Sequence, residues 1–160
     1  MSTLTRVSSD HRARLMAHVD ELPVLADEIG RIAWPVLRDR IAAEHAFCTS
    51  TLIPHMEAVE SGIHQELDRL LSCRIAMEPL EREHAQVRQL IERLGAFAAE
   101  GTIEAAEELE LNRVLMKLYS ILRVHLREES RYVPILEHNL GPDELAVLAA
   151  SMEHTARVEL

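Results

Sequence analysis

The sequence predicts an all-α protein: an up-and-down four-helix bundle with a short additional C-terminal helix. Three observations lead to this prediction. Ala, Leu, Glu and Arg dominate the composition, and these residues lose little free energy on entering a helix. Apolar residues recur at helical spacing over long stretches of the chain. Only 5 glycines and 6 prolines are present, so this spacing is interrupted at few places.

These interruptions divide the 160 residues into five predicted helices within one domain, 1–160. The connections between the first four helices are short, which favours antiparallel packing of neighbours in a bundle at about 10–139. The fifth helix is expected to pack on this bundle as an extra element. The predicted helices span about 9–29, 35–71, 79–98, 103–139 and 142–157.

The prolines agree with these boundaries. Pro35, Pro79 and Pro142 stand where a first-turn proline belongs, because its missing N–H would be unpaired there in any case. Pro54 and Pro134 lie inside the two longest helices, where each removes a backbone hydrogen bond. We expect kinks at these two positions rather than helix ends.

Composition and charge limit the classes of function. The formal net charge is −10 and the basic residues are interleaved with acidic ones, which argues against nucleic acid as a partner. No apolar run approaches the ~20 residues of a membrane span, and the first ten residues lack a signal-peptide layout. We therefore expect a cytoplasmic protein with no membrane contact. Cys48 and Cys73 are not spaced as a redox or zinc pair, and we expect buried thiols.

Histidines and one carboxylate interrupt the apolar stripes of all four bundle helices. In the fourth helix His125 and Glu129 take positions where leucines would continue the stripe. A buried imidazole or carboxylate without a partner is costly, so one alone indicates a hydrogen-bonded core residue. Several on converging faces indicate a bound metal instead. The inward histidines are His11 and His18 in the first helix, His45 and His55 in the second, His84 in the third and His125 in the fourth.

The donor types indicate which metal is expected. His125 and Glu129 have i, i+4 spacing and can reach the same point. Imidazole and carboxylate without thiolate suit iron or manganese, and they also allow zinc. His64 lies nine residues from His55, about half a turn away round a regular helix, so we expect it outside the site. His138 and His154 are expected at the surface.

The chain resembles the bacterial hemerythrin-like proteins, also called the HHE cation-binding domain. The fourth helix carries the best match, His125-Leu126-Arg127-Glu128-Glu129 followed by Tyr132-Val133-Pro134, and the third helix matches through Glu83-His84. The similarity covers about 10–139. It implies a non-haem di-iron centre that binds O2, peroxide or nitric oxide. The ligands it implies are His11 or His18, His55, His84, His125 and Glu129.

The second helix departs from the family pattern. The run from Leu52 to Glu60 resembles the first family motif, but Val59 stands where the family has a bridging glutamate. Glu60 points about 140° away from His55 round a regular helix, so it could ligate only if a bulge rotated it inward. A register starting at His45 places Thr49 at the glutamate position and offers no carboxylate either.

The first helix offers two candidate ligands. His11 and His18 are seven residues apart on one face, roughly 10.5 Å along the helix axis, so only one can lie level with His55. Counting outward from the turn near Ile32 favours His11. His18 stays a second candidate, level with His45 in a polar layer.

Three functions remain open from the sequence. The first is a di-iron protein that binds, senses or disposes of O2, peroxide or nitric oxide. The second is a mononuclear protein, with one iron or another divalent metal, because Val59 removes a carboxylate. The third is a metal-free helical module that serves regulation or interaction. No catalytic residue can be placed from the sequence, so a binding protein is favoured over an enzyme, and a homo-oligomer stays open.

Overall fold

A computed structural model describes residues 3–71 and 77–157 of the chain, with side chains over 4–71 and 77–153. Over these residues the structure is helical and has no strand, which confirms the predicted all-α class. No helix in the described ranges is both long enough and apolar enough to cross a membrane. The α-helices are α1 (Thr3–Val19), α2 (Leu22–Glu28), α3 (Trp34–Phe47), α4 (Ile53–Ala58), α5 (Gln65–Leu71), α6 (Glu78–Ala99), α7 (Ala105–Asn139) and α8 (Pro142–Arg157). Two π-helical segments are present, π1 (Cys48–Leu52) and π2 (Val59–His64).

The predicted first helix, 9–29, is wrong as a single element. It begins earlier, at Thr3, and the chain turns between α1 and α2. Pro23 lies in the first turn of α2, where it has no N–H to donate to the carbonyl of Val19 and its ring would crowd that carbonyl. The regular hydrogen-bond ladder ends with the bond from Asp20 N–H to the Met16 carbonyl, Glu21 N–H donates to the His18 carbonyl instead, and α2 starts a new helix.

The predicted second helix is one unbroken helical run, but it is not uniformly α-helical. From Trp34 to Leu71 the chain passes through α3, π1, α4, π2 and α5 without a turn. Pro54 lies in the first turn of α4, directly after π1. The position that lacks a backbone N–H therefore follows the wider π turn. A π turn holds more residues than an α turn, so side chains beyond Val59 take angular positions that α-helical spacing does not give.

The remaining helices follow the predicted order. The break predicted over 72–77 falls largely outside the described residues, and Met77 lies in the turn before α6. A capping box between Glu104 and Glu107 starts α7, which continues past Pro134 to Asn139. Helix α6 packs on α3 and α7, while α7 also contacts α1 and α2. The C-terminal helix α8 packs mainly on α1 and α4.

Two apolar clusters form the core, and polar side chains separate them along the helices. In α1, His11 lies between Val7 of one cluster and Leu15 of the other. In α6, His84 lies between Leu80 and Val87 in the same way. The larger cluster includes Leu15, Leu22, Ile41, Leu52, Val87, Leu94, Leu115, Leu122 and Leu126, and the smaller includes Val7, Val59, Ile63, Leu80, Val133, Leu136 and Leu148. The histidines therefore occupy a buried polar layer.

Candidate metal centre

Three side chains from two helices form the centre of this layer. His84 of α6 and His125 and Glu129 of α7 are buried, and one ligand atom from each lies within 4.8 Å of the others. The Nε2 atoms of His84 and His125 are 2.7 Å apart. Glu129 Oε1 lies 2.7 Å from His125 Nε2 and 3.9 Å from His84 Nε2. Two imidazole nitrogens and a carboxylate oxygen thus converge on one point.

The other oxygen of Glu129 faces a second pair of histidines. Glu129 Oε2 lies 3.2 Å from Nε2 of His55, which comes from α4. The ring of His11 packs 4.7 Å from the ring of His55, and neither nitrogen of His11 has a hydrogen-bond partner. The structure therefore brings together residues from α1, α4, α6 and α7 around one carboxylate.

Carboxylates on the outer side hold the first pair of rings in place. Glu60 Oε1 accepts a hydrogen bond of 2.6 Å from Nδ1 of His84, and Glu83 Oε2 accepts one of 3.0 Å from Nδ1 of His125. Arg88 in turn donates to both oxygens of Glu60, each at 3.1 Å. When Nδ1 carries the hydrogen, the lone pair of a neutral ring lies on Nε2, which points inward. This carboxylate–histidine arrangement is the one that orients metal-ligating histidines.

Burial and neighbouring charge set the protonation of these groups. Burial, with the charge of His125, lowers the pKa of His84 to about 4. Burial, with His55 and Arg14, likewise lowers the pKa of His11 to about 4. These rings are neutral at neutral pH, which is the form that binds a metal.

At the centre of the layer Glu129 is negatively charged, and its neighbours favour a positive charge on His125. Burial works against ionisation of Glu129, but His55 and His125 outweigh it and hold the pKa of this carboxyl well below its usual range. Burial also opposes protonation of His125, yet hydrogen bonds and charges from Glu129 and Glu83 raise its pKa. An ionised carboxylate thus lies among the imidazoles, so the layer can accept positive charge.

His64 is buried beside this layer, although α-helical spacing placed it about half a turn round the helix from His55. It is 1% exposed, and its ring stacks on the ring of His84 at 5.5 Å. It is the last residue of π2, whose wide turn carries it inward. The α-helical period used for the prediction fails at this segment. One signal in the sequence is consistent with wide turns: Glu60 and His64 stand five and nine residues after His55.

Two predicted candidates lie elsewhere. The side chain of His18 is 43% exposed, stacks on Phe47 and pairs with Glu44 at 3.1 Å, so it does not join the cluster. His45 lies against Gly95 of α6. Glu60 reaches the cluster, but from the outer nitrogen of His84 rather than among the inward Nε2 atoms.

The remaining predictions concern cysteines and histidines outside the cluster. Cys48 is buried and free, and burial raises the pKa of its thiol to about 12. His138 is exposed, as expected. Cys73 and the side chain of His154 lie outside the described residues.

The side chains present fit a transition-metal ion. Both nitrogens of His11 and both of His64 are buried without a hydrogen-bond partner, a costly arrangement that a cation would relieve. The donors are nitrogen and oxygen from histidine and glutamate, with no thiolate among them, which suits iron, manganese or zinc. No protein-family model, no curated protein and no solved structure matches this chain.

Proposed function

We propose that this chain is a hemerythrin-like, non-haem iron protein, an up-and-down four-helix bundle that holds a two-metal site for O2, peroxide or nitric oxide. One observation carries the proposal: the two oxygens of Glu129 face different histidine pairs. If two ions are bound, Glu129 with His84 and His125 would hold one, and Glu129 with His11 and His55 would hold the other.

The two halves of the site are not equal. The half formed by His84 and His125 has outer carboxylates that orient both rings, whereas Nδ1 of His55 and both nitrogens of His11 lack a partner. Val59, where the family has a second bridging glutamate, is fully buried in apolar surroundings and supplies no ligand. An ion held by His84 and His125 would therefore be bound more tightly. This inequality also favours a mononuclear form as the second candidate.

The chain's own residues prepare the site for this chemistry. Glu83 and Glu60 hold the His125 and His84 rings with Nε2 inward, which preorganises the ligands before a metal arrives. The apolar clusters on either side exclude bulk water and strengthen electrostatic interactions within the layer. Iron bound there would supply an exchangeable coordination position for a small diatomic or peroxide ligand.

Iron content of the purified protein and its variants tests this function. Reconstituted anaerobically with ferrous iron, the wild-type protein should hold about one to two iron atoms per chain. His84→Ala and His125→Ala should each reduce iron content at least about tenfold, because each removes a ligand from the better-ordered half. Metal analysis after gel filtration, together with near-ultraviolet charge-transfer absorption, measures content and nuclearity.

His138→Ala is the matched control, since His138 is exposed on the same helix as His125. It should load iron as the wild type does. Equal loading of all three variants would contradict the assignment of the ligands. Less than about a tenth of an atom of any transition metal in the reconstituted wild type would exclude both the two-metal and the one-metal function.

A further inference from the structure

A cleft of about 720 Å³ opens beside the buried layer, between π2 with its flanking helices and the start of α6. Five carboxylates line it, and no lysine or arginine is among its described lining residues, but Arg82 pairs with Glu78 and Arg88 pairs with Glu60. The carboxylates are Glu57, Glu60, Asp68, Glu78 and Glu81. Close carboxylates in a concave surface attract cations by focusing the field.

His64 connects this cleft to the metal centre. It lines the cleft, is 1% exposed, and neither ring nitrogen has a hydrogen-bond partner. Its ring also stacks on His84, 5.5 Å away with an interplanar angle of 19°. An unpartnered imidazole therefore stands between exposed carboxylates and the first ligand of the proposed site. Glu60 likewise lines the cleft while contacting Nδ1 of His84.

Two other clefts do not suit a cation. One is lined by Arg12, Arg123, Arg127 and Arg131, with Glu128 as its single carboxylate, and would repel metal ions. Another is mainly apolar, with Leu4, Leu145 and Ala149 in its wall. In the acidic cleft, by contrast, carboxylates and a buried histidine lie next to the buried layer.

We propose that the acidic cleft is the entrance for divalent transition-metal ions, and that His64 receives each ion there and passes it to His84. This inference rests on the proposed function. The groups along the path bind the ion with increasing strength. Exposed carboxylates collect the hydrated ion, a single buried imidazole binds it next, and the cluster at Glu129 holds it last. The π2 turn is what gives His64 this intermediate position.

The rate of Co²⁺ uptake tests the route separately from the final affinity. Chelator-stripped protein is mixed with CoCl2 in a stopped-flow instrument, and the visible absorption of bound Co²⁺ is followed. The cleft variant carries Glu57→Gln, Glu78→Gln and Glu81→Gln, all at exposed positions that contact no proposed ligand. At low ionic strength its uptake should be about tenfold slower, with equal final Co²⁺ content, and added salt should reduce the difference.

A second triple variant, Glu92→Gln, Glu100→Gln and Asp143→Asn, changes the charge equally at exposed positions outside the cleft. It should load within about twofold of the wild-type rate. His64→Leu should slow uptake even at high salt, because it removes the relay imidazole rather than surface charge. Far-ultraviolet circular dichroism verifies that each variant is folded.

The outcomes separate the route from the function. Suppose that the wild type binds Co²⁺, and that the cleft variant and His64→Leu both take up Co²⁺ at the wild-type rate. The route is then overturned, while the proposed function stands. The route is also overturned if the control triple variant slows Co²⁺ uptake as much as the cleft variant does, since net charge alone would then explain both effects. A wild type that takes up no Co²⁺ or Fe²⁺ overturns both.

Discussion

The buried histidines differ in how their ring nitrogens are satisfied. His84 and His125 have a carboxylate at Nδ1 and a partner at Nε2. His11 and His64 have no hydrogen-bond partner at either nitrogen. An unsatisfied buried polar group costs about 1–3 kcal/mol, so the metal-free protein carries this cost at both positions. A bound cation would offset this cost. The empty binding site therefore lowers the stability of the metal-free fold.

Replacing His11 with leucine tests that cost directly. His11→Leu should raise the free energy of unfolding of the chelator-stripped protein by about 1–3 kcal/mol, because an apolar side chain of similar size replaces an unpaired imidazole. The same variant should gain less stability from added Co²⁺ than the wild type does, since one ligand is missing. Urea unfolding with EDTA and with excess Co²⁺ measures both quantities.

His138→Leu, at an exposed position of α7, serves as the comparison and should change neither quantity appreciably. The interpretation of His11 would be contradicted if His11→Leu destabilised the stripped protein by several kcal/mol. It would also be contradicted if the variant kept the full stabilisation by Co²⁺.

At the scale of elements, the π-helical segments decide which residues reach the layer. The α-helical period correctly predicted the buried faces of α6 and α7, where His84, His125 and Glu129 lie. It misplaced His64, because π2 adds to the residues per turn, and nothing in the residues 59–64 marks a π turn by composition. It also missed the break before α2, although Pro23 was the signal for it.

A close approach between α3 and α6 gives a second testable feature. A Cβ added at Gly95 would lie 2.5 Å from Nε2 of His45, so the imidazole occupies the space left by the missing side chain. In the His45→Ala background, Gly95→Ala should stabilise the protein by about 1 kcal/mol through helix propensity. In the wild-type background the same change should gain less or destabilise, because the His45 ring must move.

A double-mutant cycle by urea unfolding in EDTA measures this coupling, with His45→Ala alone as the third variant. We expect a coupling free energy of about 1 kcal/mol or more between positions 45 and 95. Additive effects, with Gly95→Ala equally favourable in both backgrounds, would show that the two helices do not meet at these residues.

At the scale of the whole molecule, charge and apolar surface are arranged around one polar layer. Two apolar clusters enclose the layer, an acidic cleft adjoins it at His64, and a cleft lined by four arginines lies elsewhere on the surface. Helical periodicity sufficed to predict the helical class and most of the inward histidines. Counting outward from the turn near Ile32 favoured His11 over His18, and His11 is the one that lies in the layer. The carboxylates on the outer nitrogens depend on contacts between helices, which spacing along one helix does not determine.

The central claim is that the layer around Glu129 binds metal, and anomalous X-ray diffraction from crystals grown with ferrous iron tests it most directly. Data collected on both sides of the iron absorption edge locate iron without reference to the ligands. We predict a strong peak at bonding distance, about 2 Å, from Nε2 of His84 and of His125, and a weaker peak between Glu129 and His55. Iron peaks confined to surface carboxylates, with the histidine layer ordered and metal-free, would contradict the claim.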